Sequence, residues 1–208
     1  MKGSLIVVGF FVLGCLLGWA FTHWDISITT DITPYVLYLL MFQVGLSIGS
    51  DKKLKEILTG IRPKLLLVPL ATIIGTLSFS ALVSLFISKW SLFDCLAVGS
   101  GFAYYSLSSI LITELRETSY GIQLAAELGT IALMANIMRE IMALLGAPLF
   151  VKYFGRLAPI CAGGATTMDT TLPIITRYSG KDLVFVAIFH GILVDLTVPF
   201  LVSFFCSF

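Results

Sequence analysis

Apolar residues in this chain come in blocks about as long as a lipid bilayer is thick. The blocks cover residues 3–22, 34–49, 65–87, 93–113, 121–151, 157–175 and 183–205, and a helix needs roughly 20 mostly apolar residues to cross the hydrocarbon core. With 58% of its 208 residues hydrophobic, the chain carries more apolar surface than one soluble core can hide, so lipid must solvate the rest. The expected fold is an all-α integral membrane protein of about seven transmembrane segments, with residues 1–208 forming a single membrane domain and no room for a soluble one. A net charge of +1 gives no handle for nucleic acid.

Charge distribution predicts the orientation. Asp51, Lys52, Lys53, Lys55, Glu56, Arg62 and Lys64 make the one dense basic stretch, which the positive-inside rule assigns to the cytoplasm. Alternating from there puts the N-terminus with Lys2 inside and the C-terminus outside. Arg116, Arg177 and Lys181 then fall inside, and Lys89, Lys152 and Arg156 outside. The first block is too long for a signal-peptide core and reads as a retained helix. Block 121–151 would form a helix of about 46 Å against a core of about 30 Å, so it must tilt, bend or protrude. Cys15, Cys95, Cys161 and Cys206 lack metal-ligand spacing and indicate neither a metal site nor a disulfide framework.

Two stretches are poor continuous helices. Residues 99–110 (GSGFAYYSLSSI) and 161–173 (CAGGATTMDTTLP) place glycine and hydroxyl residues at membrane depth. Irregular backbone is tolerated there only when buried in protein or lining an aqueous cavity. A pair of interrupted helices points to the central binding site of a secondary transporter. Small residues also let helices pack closely, which suffices for Gly99 and Gly101. It explains Asp169, lying between Gly163-Gly164 and Pro173, poorly.

A charge near the bilayer centre costs at least about 2.5 kcal/mol, so each one needs a partner or a task. Glu127, Arg139, Glu140, Asp169, Asp195 and the titratable His190 are the residues to explain. Asn136, Arg139 and Glu140 stand at i, i+3 and i+4 on one helical face. Arg139 either neutralises a carboxylate and locks helices together, or is taken up by one carboxylate while another stays free for a cation or proton. Asp169 is a natural partner in both cases. His190 and Asp195 are about 140° apart around a helix, which excludes a tight metal or catalytic pair on one face. His190 can relay protons or simply pack and hydrogen-bond beside Gly191.

In residues 100–114 (SGFAYYSLSSILITE), 138–140 (MRE), 161–173 and 187–191 (AIFHG), the chain resembles the bacterial lysine exporter family, LysO, over essentially its whole length. The resemblance implies a multi-pass inner-membrane protein exporting L-lysine and toxic analogues such as thialysine, driven by protons and without a cofactor. It also implies that two intramembrane acids, matched here by Glu140 and Asp169, matter to transport. Longer family members carry a further N-terminal portion, and the runs 14–18 and 38–47 look like that portion. A split internal duplication would then require a small membrane partner subunit or a second copy of the chain.

The expected site has Glu140 and Asp169 binding the substrate ammonium or alternating between proton and substrate. Tyr105, Ser106, Ser108, Gly163, Gly164, Thr166, Thr167 and Thr170 line it, and Asn136, Arg139 and His190 support it. Lysine is drawn inward by the membrane potential at about 2.3 kcal/mol per charge per 100 mV, so export needs an energy source, and proton antiport is the simplest. A mostly structural membrane subunit serving a partner is one rival reading. An intramembrane enzyme using Asp169 and Asp195 is another, but GxGD and HExxH sequences are both missing.

Overall fold

The computed structural model describes residues 63–208, together with Leu13, Leu16, Leu39, Phe42 and Leu46 in helical conformation. Apart from those five, the first two apolar blocks and the basic stretch up to residue 62 lie outside the described residues. The chain divides into two units, Met1–Gln43 and Val44–Phe208, and every element that follows belongs to the second. A 3-10 turn, Pro63–Leu66, leads into α1 (Leu67–Ser84), followed by α2 (Leu92–Gly99), α3 (Tyr105–Phe154) and α4 (Ala158–Gly163). A second 3-10 turn, Gly164–Met168, precedes α5 (Leu172–Tyr178), and a third, Lys181–Leu183, precedes α6 (Val184–Cys206). Among the described residues there is no strand.

The 50 residues of α3 are two helices, not one rod. Gly121 breaks them with φ 77° and ψ 165°, a conformation that only glycine adopts without strain. A Cβ on Gly129 would lie 2.0 Å from Thr113 Oγ1 and 2.9 Å from the Ser109 carbonyl oxygen, so the helix of residues 122–154 runs back along that of residues 105–120. The bend expected for the long block therefore falls at its start, and the helix after it spans about 50 Å.

Block 93–113 does not run straight through; it folds back as a hairpin, hairpin A. Its incoming arm is α2, which starts on a capping box: Ser91 Oγ accepts the Asp94 amide (3.1 Å) and Asp94 Oδ2 accepts the Ser91 amide (2.9 Å). Its returning arm is residues 105–120. The arms meet at their base, where Tyr120 donates to Asp94 (2.7 Å) and Arg116 pairs with Asp94 (2.7 Å). Trp90 packs against Tyr120 with ring centroids 6.1 Å apart.

Block 157–175 does the same as hairpin B, with α4 and α5 as its arms. Arg156, at the start, donates to the Ser179 carbonyl (2.6 Å) and pairs with Asp182 beyond its end. The helix of residues 122–154 connects the base of A to the base of B, and α6 returns from B to A. There Arg116 donates to the Cys206 carbonyl (3.2 Å) and Phe208 stacks on Phe93 at 4.7 Å. Val68 of α1 packs on the Ile160, Ile175 and Ala187 cluster of B, while Ser80 lies against Gly99 of A.

Three helices among the described residues are long and apolar enough to cross a membrane: Leu67–Ser84, Tyr105–Phe154 and Lys181–Cys206. Burial is inverted relative to a water-soluble protein. Phe79, Leu145 and Phe200 are 70%, 76% and 73% exposed, whereas Thr72, Asp94, Arg116, Asn136 and His190 are buried. This is the distribution expected where lipid is the outer solvent.

The hairpins correct the grouping of charges expected from simple alternation. Arg116 lies at the base of A, the end that also holds Trp90 and its neighbour Lys89, and it is buried against Asp94. Arg156, with Lys152 one turn before it, lies beside Ser179 and Asp182, at the same end as Lys181. A segment that folds back returns the chain to the end it came from, so these charges group differently from strict alternation.

Candidate substrate-binding site

Each hairpin tip is irregular backbone with its polar groups satisfied by neighbours. In tip A, residues 100–104, Phe102 and Ala103 take positive φ of 44° and 73°. Asn136, buried in the middle of the long helix, holds this turn. Its Oδ1 accepts the Ala103 amide (2.8 Å), and its Nδ2 donates to the carbonyls of Val98 (3.3 Å) and Ala132 (2.9 Å). In tip B, Gly164 has φ 60° and ψ −131°, and a Cβ there would lie 2.2 Å from the Phe102 carbonyl oxygen. That closeness lets the Ala165 amide donate to Phe102 O at 2.8 Å, so the two tips touch.

Arg139 binds no carboxylate among the described residues, which departs from both expectations for it. Its guanidinium donates to the carbonyls of Cys161 (3.0 Å) and Ala162 (2.9 Å) and to Thr76 Oγ1 (3.2 Å), and lies over the Phe102 ring at 5.6 Å. A cation suits the carbonyl-rich C-terminal turn of α4. The charge is absorbed as structure, bracing tip B against the long helix and α1. Asp169 and Glu140 are left to face something else.

What they face is a cavity of about 280 Å³ where the tips meet α6. Tip A and the start of α3 contribute Ala103, Tyr104, Tyr105 and Ser106; tip B contributes Ala165, Thr166, Met168, Asp169 and Thr170; the long helix contributes Glu140 and α6 Asp195. Three carboxylates thus line a space near the lower end of ligand-pocket sizes, and among the described residues no cationic side chain lines it. Asp169 is exposed, Glu140 half-buried and Asp195 buried. Among the described residues none of the three forms an ion pair. Such a wall attracts a cation or a proton.

Of the residues expected at the site, Tyr105, Ser106, Thr166, Thr170, Glu140 and Asp169 line this cavity. Ser108, Gly163, Gly164, Thr167, Asn136, Arg139 and His190 lie behind it as framework. Ser108 Oγ donates to the Tyr104 carbonyl one turn back (2.8 Å). Gly163 accepts from Thr166 (2.8 Å). Thr167 Oγ1 lies 2.8 Å from the Ala187 carbonyl oxygen and 3.2 Å from His190 Nδ1, and His190 Nε2 lies 2.9 Å from Thr72 Oγ1. His190 thereby ties α1, tip B and α6 together in a fully buried position. Asn136 and Arg139 also border a second, largely apolar cavity of about 710 Å³ beside α1.

Sequence reasoning placed Asp195 at membrane depth and weighed it beside His190 and, in the enzyme reading, beside Asp169, but gave it no part in the transport site. Its signal was a carboxylate midway along block 183–205. The Asp94–Arg116 pair was missed as well: the Ser91-x-x-Asp94 capping box marks the start of α2, but nothing local reveals a partner 22 residues later.

Comparison with known proteins places the chain. The family model described as "Lysine exporter LysO" matches residues 8–206. The "Lysine exporter LysO" of Escherichia coli (strain K12) is 34% identical over 205 residues, covering 98% of this chain and 62% of the relative. The "Putative lysine exporter" of Haemophilus influenzae (strain ATCC 51907 / DSM 11121 / KW20 / Rd) is 32% identical over 200 residues, covering 95% of both. The chain therefore spans less than two thirds of the first relative's length and nearly all of the second's. No solved structure matches it. The family is one of transporters, not enzymes, and the apolar helices set the chain in a membrane as a multi-pass protein. On these grounds the chain belongs to the lysine exporter LysO family.

Proposed function

We propose that this protein exports L-lysine, and toxic analogues such as thialysine, across the bacterial inner membrane by proton antiport. The observation that carries the reading is the cavity at the touching hairpin tips, with its three carboxylates and no lining cation. Glu140 and Asp169 take the ammonium of the substrate. Hydroxyls of Tyr105, Ser106, Thr166 and Thr170 complete the polar lining. In this reading hairpins A and B are re-entrant, discontinuous membrane segments entering from opposite faces, and their irregular tips are tolerated at depth because they line the substrate's cavity.

The charges support an orientation. Lys152, Arg156, Arg177 and Lys181 gather at the base of B, and the base of A holds Lys89 and an Arg116 already paired with Asp94. The base of B is then cytoplasmic and the C-terminus, beside Phe93, lies outside. The 62% span of the E. coli relative favours a second reading, in which this chain works with a small membrane partner or a second copy of itself.

Labelled-lysine counterflow into liposomes holding the purified chain tests both readings. Transport by the chain alone is expected, and Glu140→Gln and Asp169→Asn should each reduce it at least tenfold. Wild-type counterflow in both variants would reject the assigned roles. Activity that appears only on adding the partner would establish the second reading.

A further inference from the structure

Asp195 differs from the other two carboxylates of the cavity. It is 5% exposed and makes no hydrogen bond or ion pair among the described residues, yet it lines the cavity. Nothing in a packed helical wall requires a carboxylate there, and an isolated anion so buried is unfavourable. Its neighbours offer no neutralisation. Across the cavity stand Asp169 of tip B, Glu140 of the long helix, and Tyr104 and Tyr105 at the end of tip A and the start of α3. No titratable side chain of α1, α2, α4 or α5 lines the cavity. On its own helix His190 faces Thr72 and Thr167 instead, and Arg139 is held by the carbonyls of α4.

We propose that Asp195 is the carrier of the counter-transported proton, with Glu140 and Asp169 reserved for the lysine ammonium. When lysine leaves toward the outside, a proton from external water bonds to a carboxylate oxygen of Asp195, and the cavity returns inward with that O–H formed. Facing the cytoplasm, the O–H breaks, the proton passes to cytoplasmic water, and an incoming ammonium replaces its charge. One proton enters for each lysine cation that leaves, so the exchange moves no net charge and the membrane potential no longer opposes export. The division of labour follows from exposure: the open carboxylate is within reach of a bulky cation, and the buried one is within reach of a proton.

This assignment rests on the exporter reading above, and one experiment separates the two. The purified chain, wild type or variant, is placed in liposomes and assayed for lysine–lysine counterflow, which needs no proton return, and for lysine movement driven by a pH gradient. Asp195→Asn should lose gradient-driven transport at least tenfold and counterflow, which needs no proton return, by a several-fold smaller factor. Asp195→Glu should restore the driven transport with a displaced pH profile. Gradient-driven transport at wild-type rate in Asp195→Asn overturns the assignment alone, as does loss of both activities in a variant that melts like wild type. If Asp195→Asn does not fold, Asp195→Glu decides, and an unchanged pH profile overturns the proposal. Wild-type protein with neither activity removes the exporter reading itself.

Discussion

The Ala165 amide donates to the Phe102 carbonyl at 2.8 Å, a backbone bond joining the tips of two hairpins that start at opposite ends of the helical bundle. Phe102 is also the residue whose ring lies under the Arg139 guanidinium. The meeting point is thus held by main chain, by a stacked cation and by the absence of a side chain at Gly164.

Gly164→Ala should be among the most damaging small substitutions in the protein. Its φ of 60° disfavours any Cβ, and that atom would lie 2.2 Å from Phe102 O. The combined cost is about 2–4 kcal/mol. A lowered melting temperature in detergent, with lost lysine transport, is the expected result; a variant melting like wild type would show that the tips separate freely.

Asn136→Ala removes the acceptor for the Ala103 amide and the donor to Val98, leaving buried backbone groups unpaired. A loss of about 1–3 kcal/mol is expected. Asn136→Asp keeps the acceptor for Ala103 and should fall between wild type and Asn136→Ala. Thermal unfolding of the three proteins side by side gives the order.

Arg139→Lys should not be conservative. A lysine ammonium cannot reach the Cys161 and Ala162 carbonyls and Thr76 with the geometry of a planar fork. Transport should fall several-fold and the melting temperature with it, although none of the cavity's carboxylates has been changed. Full transport in this variant would mean that tip B does not depend on its brace.

Asp94 and Arg116 form a buried pair, and removing one partner strands the other. Asp94→Asn or Arg116→Met alone should cost about 3–5 kcal/mol, whereas the two combined should cost clearly less than the sum. A double-mutant cycle by thermal unfolding reads this coupling directly.

Sidedness can be read with single cysteines in a background lacking the native ones. A cysteine at Lys181 should react with an impermeant thiol reagent only from the cytoplasmic face, and one at Lys89 only from outside. Labelling of both from the same face would contradict the opposed hairpins.

Much of the site was legible because its chemistry is costly. A carboxylate such as Asp169 between a Gly-Gly pair and a proline at membrane depth has few structural excuses, and Glu140 shares a helical face with Asn136. What the sequence hid was direction. Hydropathy reports how long a segment stays apolar and not whether it goes through or turns around, so blocks 93–113 and 157–175 looked like crossings. The reversals depend on contacts far apart in the chain, Asp94 with Tyr120 and Arg156 with Ser179. Arg139 misled for a related reason: carbonyls at the end of α4 are as good a sink for its charge as the carboxylate that composition suggested.

Asn136 grips one tip and Arg139 the other, and they stand three residues apart on the same helix. Residues 122–154 therefore act as a shared fulcrum. A tilt that slackens the grip on one hairpin tightens or drags the other within a single turn of helix, about 5 Å away. Two grips set this close together on one helix tie the placement of one tip to that of the other.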